Sequence, residues 1–237
     1  MHYREEHSEH YTSLACTSEY ADFWKESADI TTLGLAFFRG VVTSVQEDLK
    51  DGEERAEVDR RYQRVSRLFL EAAVCRTLDR FQSYVVRLVG KIFSERPEMI
   101  GERKIPSALL FQGASIEELK IRAIEDAATS YSYMNVADLS DDLLRKFGFS
   151  LFEKKITKLR VKRLVEIRNS LVHHRSMVTH SFCSRVGSKA DKVGQTVRLP
   201  HPIKVDNYLQ SVAVDIDLRA IKKFGLKTVK HDVRRVT

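Results

Sequence analysis

Residues 65–93 read VSRLFLEAAVCRTLDRFQSYVVRLVGKIF. Apolar side chains fall at Val65, Leu68, Phe69, Ala72, Ala73, Cys75, Leu78, Phe81, Val85, Leu88, Val89 and Ile92, mostly in steps of three and four. Such spacing brings an apolar group back to one face of a helix at every turn, whereas a half-buried strand needs steps of two. The pattern reaches back to about Glu53 and predicts one long helix over 53–93. A helix of that kind needs its apolar face covered, and the flanking sequence supplies further helical patterns for it.

Upstream, residues 19–50 carry Leu33, Leu35, Phe37, Phe38, Val41, Val42, Val45 and Leu49 at helical spacing, with Gly34 and Gly40 weakening it and Lys50-Asp51-Gly52 as a stop. Downstream, SERPEMIGERKIPS (94–107) breaks the pattern with Pro97, Gly101 and Pro106. SIEELKIRAIEDAA (115–128) opens with a capping box, Ser115 and Glu118. A polar aromatic connector over 129–136 follows, then a short helix from Asp138 to near Gly148. A basic helix spans 150–174. After it we expect a loop with a small hairpin across Gln195–Leu199 and Ile203–Val205. A last helix covers 206–224, stopped by Gly225. The reading is an all-α bundle of five or six helices over 19–226, with a polar N-terminal arm (1–18) and a basic C-terminal tail (227–237).

Of the 237 residues, 43% are hydrophobic and 4 are proline, so a sizeable helical core is within reach. The net charge of +7 suits a polyanionic partner without proving one. The three cysteines, Cys16, Cys75 and Cys183, are odd in number and far apart, which argues against a disulfide or zinc framework and fits a reducing cytoplasm. No apolar run approaches the roughly 18 residues of a membrane span. The polar start MHYREEHSEHYTS resembles neither a signal nor a transit peptide. His2, His7 and His10 lie there and read as a solvated terminus rather than a metal site.

The chemistry concentrates in EIRNSLVHHR (166–175). With the helix taken from Leu151, the residues Ile156, Leu159, Leu164, Val165, Leu171 and Val172 line one side, and Arg168 falls on that apolar stripe. An arginine there snorkels, pairs with a buried carboxylate or faces an interface. Asn169 and His173, four apart, share a face, and an amide can fix an imidazole tautomer. Arg168 and His173 are five apart and diverge by about 140° on a straight helix. A bent helix end, or a second copy of the motif across a two-fold axis, brings them to one point. Histidine moves protons near neutral pH and arginine offers a charged fork to phosphate oxygens, a pair suited to cleaving RNA through its own 2′-hydroxyl without a metal. The plainer alternative is a salt bridge to a neighbouring helix from Arg168 and a helix-end role for His173.

The core RNSLVH, with Arg168, Asn169 and His173, resembles the RNxxxH signature of the HEPN domains. The following MVTHSF…VGSKADKVGQTVRLP and the closing helix ending in KKFGL look like HEPN families of bacterial defence and toxin–antitoxin loci. The resemblance covers about 30–226 in layout and 166–205 in recognisable sequence. It implies a HEPN-like antiparallel bundle, a homodimer with two motifs at its cleft, and a metal-independent endoribonuclease without cofactor. By position, Arg168 would stabilise the phosphate, His173 would be catalytic and Asn169 would support it. Some HEPN toxins carry a tyrosine two residues after the histidine, the target of a partner nucleotidyltransferase; Arg175 stands there in this sequence, so control by that route is not expected.

Around the motif, Lys154, Lys155, Lys158, Lys162 and Arg163 give the helix a basic surface able to track RNA or simply to be solvated. We take Lys158, Lys162, Arg163, His174 and Arg175 as RNA-binding candidates. A zinc site from His173, His180 and Cys183 lacks a fourth ligand at fitting spacing. GSKADK lacks the spacing of a phosphate loop. Tyr131 and Tyr133 could stack bases or cap a core. The expected partners are RNA, tRNA among the candidates, a second copy of the chain, and a cognate antitoxin or defence protein, with no membrane. The rival readings are a non-catalytic RNA-binding or assembly module and a regulatory subunit active only with a partner.

Overall fold

The computed structural model describes residues 11–50, 55–101, 111, 113, 115–187 and 190–234. Its elements are β1 (Tyr11–Cys16), α1 (Ser18–Lys50), α2 (Arg55–Glu95), a 3-10 turn (Pro97–Ile100), α3 (Ile116–Ser132), α4 (Val136–Phe147), α5 (Lys155–His173), α6 (His180–Val186), α7 (Pro202–Phe224) and β2 (Val229–Arg234). The chain is all-α, with seven α-helices and one two-stranded ribbon among the described residues. No helix is long and apolar enough to cross a membrane among those residues. The N-terminal histidines, Gly52, Pro106 and the serine and first lysine of GSKADK lie outside the described residues.

Helix α2 has 41 residues, about 60 Å at 1.5 Å per residue. Leu78, Phe81, Val85, Leu88, Val89 and Ile92 are all buried on it, as the spacing of 65–93 requires, and Val74, which the reading passed over, is buried with them. Leu68 breaks the expected stripe and is 60% exposed. Helix α3 begins with the reciprocal capping box: Ser115 N donates to the Glu118 carboxylate at 2.7 Å, and Glu118 N donates to Ser115 Oγ at 3.2 Å. It runs on through half of the expected connector, burying Tyr131 and leaving Tyr133 exposed. Asn135 caps α4, and Gly148 ends it at φ 61°, where a side chain would be strained.

Two compact units divide the chain. Unit one comprises residues 1–23, 82–153 and 210–237; unit two comprises 24–81 and 154–209. In unit one, Tyr11–Cys16 pairs antiparallel with Val229–Arg234, so segments expected as an arm and a tail form a ribbon. Just after β1, Thr17 donates from its backbone N and its hydroxyl to the buried Asp217 carboxylate of α7, which also accepts from Tyr84 of α2 at 3.3 Å. Burial pushes the Asp217 carboxyl up, and the Thr17 and Tyr84 hydrogen bonds pull it back. The rings of Phe93 and Tyr131 (6.0 Å), Phe93 and Phe147 (5.9 Å), and Phe149 and Phe224 (5.2 Å) fill the remaining core.

In unit two, Arg80 of α2 is buried and donates to Ser27 Oγ at 2.6 Å, with Glu26 and Asp206 as its carboxylate partners. A second cluster gathers Ile167, Val178, Phe182 and Val197, with Leu164, Leu171, Cys183 and Val186 against it.

Two sequence expectations need correction. Helix α5 starts at Lys155 rather than near 150. The backbone carbonyls of Ser150 and Leu151 are taken by the Arg219 guanidinium at 2.6 and 2.7 Å, and Leu151 N donates to Ser140 Oγ, so these groups are not available to a helix. The hairpin across Gln195–Leu199 and Ile203–Val205 does not form. Ile203–Val205 sits in the first turn of α7, where Pro202 presets the helical φ at the first position. Gln195–Val197 pairs instead with Ser176–Val178, through Val178 N to Gln195 O (2.8 Å) and Val197 N to Ser176 O (2.7 Å). Between them lies α6, unforeseen, capped by Thr179, whose hydroxyl accepts from Phe182 N at 3.1 Å.

Candidate functional site

The motif lies on the last two turns of α5, within unit two. The face of α5 that carries Val161, Ile167 and Ser170 is buried, which holds the helix in place and leaves the neighbouring positions half-exposed. Helix α5 ends at His173. The next two backbones after the His174 cap, Arg175 and Ser176, have φ of 50° and 62°. Left-handed backbone at a non-glycine residue costs about 1–3 kcal/mol and persists only where surrounding contacts over-determine it. Here they do. The Ser170 carbonyl accepts from both His174 N and Ser176 N at 3.0 Å. Ser176 Oγ donates to Glu71 of α2 at 3.0 Å, and its carbonyl accepts from Val197 N. The reversal is therefore pinned on three sides. It presents His173, His174 and Arg175 to solvent, the two imidazoles 6.4 Å apart.

Arg168 does not extend into the core. Its Nε donates to Asp79 Oδ1 of α2 at 3.1 Å, and its Nη1 reaches Asn169 Oδ1 only at 3.5 Å. The pair is 31% and 43% exposed. Of the three options that the sequence left open, this is a carboxylate partner, but a half-exposed one. One edge of the guanidinium is fixed and the Nη edge keeps hydrogen-bonding capacity for an anion. Glu71, Cys75 and Asp79 follow one another at four-residue steps on α2 and share a face. Cys75 feels both carboxylates and Arg168: its thiol is raised by burial and pulled down by the arginine.

Arg168 and Asn169 meet only at that 3.5 Å distance, and the His173 and His174 rings are neighbours set edge to face with no hydrogen bond between them. Among the described residues no hydrogen bond links Arg168 to His173, in keeping with the angle between them on one helix. The RNA-binding candidates separate into three kinds. His174 and Arg175 are exposed beside the motif, and Lys158 and Lys162 are half-buried along α5. Arg163 is committed within the fold: it donates to both Asp191 oxygens at 2.7 and 2.8 Å and to Val186 O at 3.1 Å, with Phe182 under its guanidinium. That bidentate pair holds Arg163 charged. Cys183 Sγ donates to Asp191 O, and no three His, Cys, Asp or Glu side chains are gathered to hold a metal ion among the described residues.

Sequence reasoning missed Glu71 and Asp79, the carboxylates that brace the motif from α2. They stand two turns apart on α2, among many other charged residues, so their spacing alone did not mark them out. It also missed Glu166, which binds Arg185 at 3.0 Å and so fixes α6 to α5. Comparison of the chain with family models, with curated proteins and with solved structures yields no match.

Proposed function

We propose that the chain is a HEPN-type endoribonuclease that cuts RNA without a metal, acting in antiphage defence or as a toxin. The observation that supports this most is the state of Arg168: its guanidinium is oriented by Asp79 through Nε, half-exposed, and lies on the same two turns as an exposed His173. In the proposed reaction, His173 takes the proton of the 2′-hydroxyl, whose oxygen attacks the adjacent phosphorus. Arg168 stabilises the charge on the pentacoordinate phosphorus. The 5′-oxygen leaves with a proton returned by the imidazolium or water, and the product is a 2′,3′-cyclic phosphate with a 5′-hydroxyl. Two copies of the motif facing each other in a homodimer overcome the angular divergence of Arg168 and His173. Asn169, His174 and Arg175 flank the scissile phosphate, and the basic stretch of α5 adds attraction for the strand.

A second reading is favoured by the same ion pair. If the Arg168–Asp79 contact is only a brace between α2 and α5, the protein is an RNA-binding or assembly module, or a subunit that needs a partner such as an antitoxin. The deciding experiment incubates the purified chain with total RNA and with tRNA in EDTA, beside His173→Ala and Arg168→Ala. Cutting by the wild type alone, with cyclic phosphate ends, supports the nuclease. A folded wild type that binds RNA but never cuts it moves the assignment to the module. Cleavage that requires added metal ends the proposed mechanism.

A further inference from the structure

Unit two holds a second feature, away from the motif. A cleft of about 720 Å³ lies among the first half of α5, α6 and residues 190–198, and none of Arg168, Asn169 and His173 lines it. Ile156 and Leu159 of α5 are 54% and 46% exposed and form an apolar wall with Val178 and Val186. Five cations line the cleft against one carboxylate, Asp191. Arg163 consumes Asp191 bidentately, and Arg185 is matched by Glu166. That leaves Arg160, Lys192 and Arg198, all exposed and with no carboxylate partner among the described residues. The first turn of α5 adds to the positive potential, since it contains no acidic residue and its backbone amides point outward at this end.

We propose that this cleft binds a phosphorylated small molecule with an apolar or planar body, of mononucleotide size. Three uncompensated cations call for more than one negative charge. Two of them are arginines, whose planar forks match phosphate oxygens. The apolar wall of Ile156 and Leu159 takes a base or another flat, poorly hydrated group. The volume falls within the ~300–1,000 Å³ of small-ligand sites. The Arg163–Asp191 and Arg185–Glu166 pairs brace the cleft walls before any ligand arrives, so little ordering is left for binding to accomplish. The site stands independently of the nuclease reading.

The test is isothermal titration of the full chain with ADP, adenosine, inorganic phosphate and a short poly(U) RNA at low salt. ADP is expected to bind about tenfold or more tightly than either adenosine or phosphate, a gap of about 1.4 kcal/mol per factor of ten. Arg160→Glu/Arg198→Glu is expected to weaken ADP about tenfold or more without changing helical circular dichroism, because both side chains are exposed. Leu159→Asp should weaken ADP while sparing inorganic phosphate. Should the double variant lose its helical signal, Lys192→Glu alone carries the charge test. No ADP binding, equal binding of phosphate and ADP, or ADP binding that ignores every one of these substitutions would overturn the proposal. Binding of poly(U) but not ADP, lost in the double variant, would overturn it in favour of an RNA groove.

Discussion

Asp217 in unit one and Arg168 in unit two are both charged side chains on helices, and the chain treats them in opposite ways. Asp217 is 0% exposed and accepts three hydrogen bonds, two from Thr17 and one from Tyr84, with no cation beside it among the described residues. Arg168 is 31% exposed and is held by one firm hydrogen bond to a carboxylate that is itself 43% exposed. A buried polar group saturated with partners serves the fold, because every partner it loses is left unsatisfied in the interior. A half-exposed charge held along one edge adds little to stability and keeps capacity for a ligand. The contrast separates residues that specify the structure from residues that the structure leaves available.

The sharpest way to break that comparison is at the motif. His173→Ala and Arg168→Ala are expected to lower RNA cleavage by about 10²–10⁴-fold, with thermal unfolding close to wild type; a large loss of stability in either would make the motif a structural element instead. Asp217→Ala should do the reverse, costing about 2–3 kcal/mol in urea unfolding as the Thr17 and Tyr84 donors lose their acceptor, while leaving cleavage per folded molecule intact.

The same carboxylate gives a pH signature. Because burial raises the Asp217 carboxyl above its ordinary value of 3.8, its contribution to stability is fully present below that value and is lost as pH rises through the folded-state value. The stability advantage of wild type over Asp217→Asn should therefore be greatest in acid and shrink toward neutrality; an advantage that grows with pH would contradict the assignment. Smaller still, Arg175→Gly is expected to stabilise the chain by about 1 kcal/mol, since glycine adopts the φ of 50° found there without strain. Last, Asp79→Ala should cost less than about 1 kcal/mol in the same urea assay, as half-exposed pairs do; a cost of several kcal/mol would place Arg168 with Asp217 as part of the framework.

Much of the helical layout was legible from single residues. The three-and-four spacing of Leu78 to Ile92 gave α2, and the pairing of Ser115 with Glu118 gave the start of α3, because both signals are local. What escaped was decided by distant partners. Arg219, some seventy positions on from Ser150, keeps residues 150 and 151 out of α5. Ser176 and Val178 take the edge that 195–197 was expected to offer to 203–205. The seven residues of α6 are too few for periodicity to register. In the candidate site, the type and spacing of Arg168, Asn169 and His173 could be read directly. Their bracing by Asp79 and Glu71 could not, since nothing local says which face of α2 meets α5.

The ribbon of β1 with β2 carries a consequence for how the chain is made. Thr17 meets Asp217 across 200 residues, and β2 lies further on still. At a synthesis rate of about 5–20 residues per second, the opening strand waits roughly 10–40 s on the ribosome before its partners exist. During that interval its backbone donors and acceptors are open to any other extended segment. Translation slowed late in the message would lengthen this exposure, and a chaperone that shields nascent strands would find its client at residues 11–16.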